Sequence, residues 1–271
     1  MALPSHHVAV TELNGKIYVM GGFILPQSGP PAWVPIDNAW EYDPANDTWK
    51  ALPPMPTKRG SPVAAAVDGK IYVIGGAGTH PGSKETAIHP RRPHRSVSAN
   101  EVYDPATNAW ASRSPMPTAR NHAAIGVVNN KVYVIGGRIG AAFMTTPASA
   151  TDLVEEYDPA TDQWGPLLKS MPTPRSAMAW GTYKGKIIIA GGEMHDEKVW
   201  GAFTVVEAID PVVNHWSILP SLTVPRHGHA GAIIGNRLHI VSGDVQSLGS
   251  AKPKDVQIET NLHEALELPD K

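Results

Sequence analysis

Asn130–Gly137 reads NKVYVIGG, and Glu156–Trp164, the next strand-like stretch, reads EYDPATDQW. Both halves recur. The first returns as GKIYVMGG at Gly15–Gly22, GKIYVIGG at Gly69–Gly76 and GKIIIAGG at Gly185–Gly192, then in degraded form as NRLHIVSG at Asn236–Gly243. The second returns as EYDPANDTW ending at Trp49, VYDPATNAW ending at Trp110 and AIDPVVNHW ending at Trp216. From Gly21 the pairs follow at Gly75, Gly136, Gly191 and Ser242, spacings of 54, 61, 55 and 51 residues. A strand-rich unit repeating about every 50 residues predicts small sheets arranged radially, an all-β propeller. Five units predict five four-stranded blades in one domain over residues 1–271, at approximately 5–52, 59–113, 120–168, 175–219 and 226–268.

The unit Arg120–Leu168 shows why each piece is a strand or a turn. Asn121–Val128 is a run of small and β-branched residues, and Asn129-Asn130 signals a hairpin. Lys131–Ile135 alternates and stops at Gly136-Gly137, where glycine tolerates backbone angles that a Cβ resists. Val154–Tyr157 is the third strand, and Asp158-Pro159 presets a turn into a fourth strand at Trp164. Trp and Tyr read as apolar plates between blades. In the fifth unit no Tyr-Asp-Pro and no Trp occurs, so its outer pair is expected at Asp255–Asn261 and His263–Leu268.

Composition narrows the function classes. Apolar residues make up 42%, sufficient for a core, while 25 Gly and 26 Pro supply the turns of an all-β chain. A net charge of −2 gives no general basicity for nucleic acid, and no apolar run approaches a membrane span. There is no Cys, hence no thiol nucleophile and no thiolate ligand. That absence suits a reducing or an oxidising compartment equally.

The paired glycines, Tyr-Asp-Pro (Ile-Asp-Pro in the fourth unit) and Trp, repeated four times in register, resemble the kelch repeat. The resemblance is strong from residue 5 to about 220, weaker beyond, and it is similar in kind to bacterial kelch-like proteins. It implies a kelch-type β-propeller with one repeat per blade. Six or seven blades would be usual in that family, so five imply either a five-bladed ring or part of a larger one. A distant resemblance to galactose oxidase and sialic acid mutarotase propellers brings two enzymes into view. The first needs a Cys-linked Tyr that this chain cannot form; the second handles an anionic sugar near arginines.

Sixteen residues before each first glycine stand Ser5, Arg59, Arg120, Arg175 and Arg226. Counting by twos from there gives His7, Ser61, His122, Ala177 and Gly228, then mostly Ala and Gly, among them Gly126 and Gly181. Strand alternation puts this series on one side, so the expectation is an Arg-lined channel mouth above small residues. Four convergent guanidiniums bind carboxylate or phosphate. Kelch domains that bind acidic peptides imply the same use, whereas the competing reading pairs each Arg with a third-strand Glu (Glu101, Glu155, Glu207).

The partner expected is therefore an anionic small molecule or an acidic peptide or protein, held by Arg59, Arg120, Arg175, Arg226 and Ser61. His122 and His7 are the candidates for acid/base chemistry if the protein is an enzyme acting on an acidic sugar. A purely structural propeller is the third class. No cofactor is expected and no metal, since only two His share the layer. Asp255, Glu259 and His263 loosely resemble the iron site of plant specifier kelch proteins with the carboxylates exchanged, and read as coincidence. The long stretch Ala77–Asn100, with His80, Lys84, His89, Arg91, Arg92, His94 and Arg95, is a basic rim loop.

Overall fold

A computed structural model describes residues 3–28, 32–80, 82, 84–88, 95–140, 149–195, 200–246 and 258–269. Every regular element among them is a β-strand. The first sheet holds β1 (Ala9–Leu13), β2 (Lys16–Met20), β3 (Ala39–Asp43) and β4 (Thr48–Leu52). The second holds β5 (Val63–Val67), β6 (Lys70–Ile74), β7 (Asn100–Asp104) and β8 (Ala109–Arg113). The third holds β9 (Ala124–Val128), β10 (Lys131–Ile135), β11 (Val154–Asp158) and β12 (Gln163–Trp164). The fourth holds β13 (Ala179–Tyr183), β14 (Lys186–Ala190), β15 (Val206–Asp210) and β16 (His215–Leu219). The fifth holds β17 (Ala230–Ile234), β18 (Arg237–Val241) and β19 (His263–Glu267). In all five sheets neighbours follow chain order, the pattern of consecutive antiparallel hairpins.

These five blade sheets match the expected all-β architecture, and the degenerate blade is the fifth. Its third strand is His263–Glu267, and no fourth strand follows among the described residues. Residues 255–257 of the expected outer pair lie outside the described residues, and Glu259 forms an isolated bridge with Asp244. The residues group into two compact units. The first comprises Met1–His122, Ile139–Ala148 and Asp158–Trp164; the second comprises Ala123–Arg138, Ser149–Tyr157 and Gly165–Lys271.

Local chemistry explains the regularity. The β1–β2 hairpin turns on Asn14-Gly15 with φ of 54° and 78°, and Asp68-Gly69, Asn129-Asn130 and Lys184-Gly185 repeat the two positive angles. Such turns match the right-handed twist of the strands they join. After the third strand, Asp43, Asp104, Asp158 and Asp210 each accept an N–H two residues on, from Ala45, Ala106, Ala160 and Val212. Left-handed Asp47, Asn108, Asp162 and Asn214 then start the fourth strand, two residues before each Trp.

Sheet faces form the core. In the first unit Ala9, Tyr18, Met20 and Leu52 of blade 1 pack on Ala64, Ile71, Val73 and Tyr103 of blade 2. In the second, blade 3 packs on Ile187, Ile189, Ile209 and Trp216 of blade 4, whose opposite face packs on Leu238 and Ile240 of blade 5. Instead of lining a channel, the small residues Gly126 and Gly181 of the series face the neighbouring blade. A Cβ on Gly126 would lie 2.5 Å from Ile187, and one on Gly181 would lie 2.5 Å from Ile233. The small residues therefore admit the next blade's Ile side chains. Strand side chains leave through the faces of a sheet, and those faces carry the blade-to-blade packing.

Candidate functional site

The sixteen-residue register does mark one structural device. The second glycine of each pair donates its N–H to the carbonyl of the next unit's Arg: Gly22 to Arg59, Gly76 to Arg120, Gly137 to Arg175 (each 3.0 Å) and Gly192 to Arg226 at 2.8 Å. The first glycine makes this approach possible. A Cβ on Gly21, at φ 61°, would stand 2.6 Å from the Arg59 carbonyl. Each Arg thus ties a preceding blade through its backbone.

Its side chain ties its own blade. All four guanidiniums are buried, at 0–1% exposure. Arg59 Nη2 donates to Val73 O at 2.9 Å and lies 3.0 Å from Glu101 Oε2, while Thr57 donates to Glu101 Oε1. Arg175 spans more: Nε to Gly191 O at 2.8 Å, Nη1 to Thr173 O at 2.9 Å, Nη2 to Ile189 O at 3.2 Å, and an ion pair with Glu207. Arg226 pairs with Glu264 on β19 and donates to Leu262 O at 3.0 Å. Arg120 donates to Thr118 O at 3.2 Å. Burial pulls Arg59 and Arg175 below the usual guanidinium range, and the facing carboxylates oppose that shift. Burial pushes the Glu264 carboxyl up, but hydrogen bonds from Thr223 and the charge of Arg226 outweigh it and hold it low.

Two residues further on in the register, His7, Ser61, His122, Ala177 and Gly228 share one conformation. All five have φ between 52° and 62°, and only the last is glycine. Ser61 N–H donates to His7 O at 2.8 Å, His122 N–H to Ser61 O at 3.2 Å, and Gly228 N–H to Ala177 O at 2.9 Å. A left-handed non-glycine residue carries about 1 kcal/mol or more of strain, which persists only where the surroundings impose it. Here the backbone hydrogen bonds within each unit impose it.

In the first unit this layer carries the reactive side chains. The His7 and His122 rings stand edge to face with centroids 5.0 Å apart, and Trp33 lies 4.9 Å from His7 and 5.2 Å from His6. His6 Nδ1 and His7 Nδ1 are 2.6 Å apart, and burial lowers the His6 pKa. His122 Nδ1 is 2.5 Å from Asn121 Oδ1, and its Nε2 is 3.1 Å from Ser61 Oγ. Asn121 is itself fixed, donating Nδ2–H to Ser96 Oγ at 3.1 Å. With Nδ1–H donating to Asn121, His122 Nε2 is the acceptor for the Ser61 hydroxyl.

The structure brings together His7, Ser61 and His122, and adds Asn121, His6 and Trp33, which pattern reading passed over. Trp33 follows no repeat, so nothing in the sequence pattern could flag it. It is placed by paired backbone hydrogen bonds with Ile88, 2.8 and 2.7 Å long, that join the rim segments of the first two blades. Of the basic stretch, Arg95 is in a two-residue ribbon with Gly78 and donates to Thr79 O, whereas His89, Arg91, Arg92 and His94 lie outside the described residues. In the second unit the same layer is only Ala177 and Gly228. Beside it Arg138 pairs with Glu193, and His227 Nε2 is 3.5 Å from Glu193 Oε2. Among the described residues no three His, Asp or Glu side chains are grouped to hold a metal.

Comparison with known proteins agrees with the repeat. Models of the kelch motif match residues 4–56, 119–166 and 174–223, and a second kelch motif model matches 58–117. Kelch-like protein terF of Aspergillus terreus is 28% identical over 92% of this chain and 51% of its own length. Kelch-like protein 25 of Xenopus tropicalis is 26% identical over 89% of this chain and 37% of its own. The chain thus spans about half or less of these relatives. The solved structure of YjhT superposes with a TM-score of 0.70 at 20% identity, covering 89% of this chain and 73% of that one, a likeness of fold.

Proposed function

This chain belongs to the kelch family, and on that premise we propose that it is a binding module for an acidic peptide or protein. Kelch propellers commonly serve as protein-interaction scaffolds. The observation that carries the reading is the patch of His6, His7 and Trp33, with Ser61 and His122 beneath it. His7 is exposed yet held in a left-handed conformation between Trp33 and His122. An indole beside imidazoles offers flat apolar area together with hydrogen-bond donors, the combination that concentrates binding energy at interfaces. Imidazole N–H groups are donors that suit a carboxylate. Within the same unit, Arg59 fixes its blade through Val73 O and Glu101.

Titration calorimetry with acidic, neutral and basic peptides tests this. Acidic peptides should bind best, and Trp33→Ala or His7→Ala should weaken them about tenfold, equivalent to about 1.4 kcal/mol. Equal affinity in both variants, or a preference for basic peptides, refutes it.

A second reading rests on the Asn121–His122–Ser61 relay. An oriented imidazole that accepts a hydroxyl proton is general-base geometry, suited to an enzyme acting on an anionic small molecule such as an acidic sugar. His122→Ala separates the two readings, because an enzyme loses turnover with affinity largely kept.

A further inference from the structure

His6 and His7 break the alternation that the strand register predicts. In extended chain, consecutive side chains leave on opposite sides, which pairs His7 with His122 and sends His6 away. His7 instead has a left-handed backbone, with φ of 57°. The two neighbouring rings meet: their centroids are 4.8 Å apart at an interplanar angle of 73°, and Nδ1 stands 2.6 Å from Nδ1. Two lone pairs that close repel and two N–H groups clash, so one Nδ1 carries the hydrogen that the other accepts. The pair is a two-nitrogen clamp closed on a single proton.

Its surroundings hold it in that shape. His6 N–H donates to Phe23 O at 3.0 Å, Phe23 N–H returns to His6 O at 2.8 Å, and His7 O accepts the Ser61 N–H at 2.8 Å. The Phe23 ring lies 5.8 Å from His6 and 5.9 Å from His7, beside the indole of Trp33 and the ring of His122 already described. All of these residues belong to the first compact unit. Fixed backbone and crowded rings mean that little conformational freedom is lost when the clamp takes a ligand. His7 is exposed, so the clamp is reached from solvent.

The geometry suits an ion larger than a proton. At a metal–nitrogen distance of about 2.0–2.1 Å, two ligands at a right angle or in a tetrahedron stand about 2.9–3.4 Å apart. The two rings therefore need to part by less than about 1 Å. The hydrogen between them passes to Nε2 of its own ring, leaving two neutral imidazoles that each offer Nδ1. Imidazole is a ligand for copper, nickel and zinc. Two protein ligands are fewer than a closed structural site uses, so the ion keeps open positions for water.

We propose that His6 Nδ1 and His7 Nδ1 chelate a divalent first-row transition-metal ion, with Cu²⁺ held most tightly, Ni²⁺ and Zn²⁺ less so and Mn²⁺ least. The site shares residues with the peptide-binding patch but not its function. Titrations of metal without peptide report the clamp, and titrations of peptide in EDTA report the patch.

The probes are the chloride salts of these four ions, titrated calorimetrically into metal-free protein. His6→Ala and His7→Asn should each weaken Cu²⁺ at least about tenfold; asparagine is chosen because it tolerates the left-handed backbone. The double variant should be within about twofold of either single one, because a chelate broken on one side is lost as a unit. Cu²⁺ is paramagnetic and should broaden the NMR signals of His6, His7 and the Trp33 indole first. The rival location is His239 Nδ1 and His263 Nε2, 2.9 Å apart on the fifth blade, and His239→Gln should leave the affinity of the clamp unchanged. Equal Cu²⁺ affinity in the parent and both single variants, additive losses in the double variant, or loss of the ion with His239→Gln would overturn the proposal.

Discussion

Arg175→Met removes a guanidinium and keeps most of the side chain's length, so it isolates the electrostatic role of the buried arginines. The Glu207 carboxylate is left 1% exposed with Thr173 Oγ1, 2.8 Å away, as its remaining side-chain donor. Breaking a buried ion pair from one side costs about 3–5 kcal/mol. The carbonyls of Thr173, Ile189 and Gly191 lose their donors too, at a net cost of about 1 kcal/mol each where no other partner replaces it. Part of that is already counted in the pair, which leaves about 4–5 kcal/mol. At about 2–4 °C per kcal/mol for a chain of this size, the melting temperature should drop by roughly 8–20 °C. Arg175→Met/Glu207→Leu should recover at least half of the loss, giving a coupling of about 2 kcal/mol or more. Urea and thermal unfolding of the four proteins measure this. A loss under about 1 kcal/mol for Arg175→Met, together with collapse of ligand affinity, would refute the structural role and restore the guanidinium to the binding site.

Two further outcomes follow from the packing. Burial holds the His229 pKa at about 4 against an ordinary 6.5, so the unfolded chain binds its proton more readily between those values. Stability should therefore fall as pH drops from 6.5 towards 4, by about 3 kcal/mol in all, and a urea series should show a shallower pH slope for His229→Met; identical slopes refute it. Gly126→Ala places a methyl 2.5–2.8 Å from three atoms of buried Ile187 and should cost about 1–3 kcal/mol by overpacking; an unchanged or higher melting temperature would mean that blades 3 and 4 do not meet there.

The sequence by itself determined the repeat and its strands. Hairpin pairs such as Asp68-Gly69, the Asp-Pro turns and the Gly-Gly pairs are local devices, readable because each acts on its own neighbours' backbone angles. It also singled out the arginines by register, and supplied Glu101 and Glu207 as the competing partners for Arg59 and Arg175, where the structure places them. Tertiary structure decided everything that depends on which face meets what. Counting by twos from Arg59 assumes an unbroken strand, yet Ser61 is left-handed, and a single positive φ ends the alternation. Whether a guanidinium faces solvent or its own blade is a matter of burial, which spacing does not encode. The approach of Trp33 to His7 and the Asn121–His122–Ser61 relay each join residues from separate loops or blades. Such contacts arise only when the sheets stack, because the distance between side chains in different blades is fixed by packing and not by their separation along the chain.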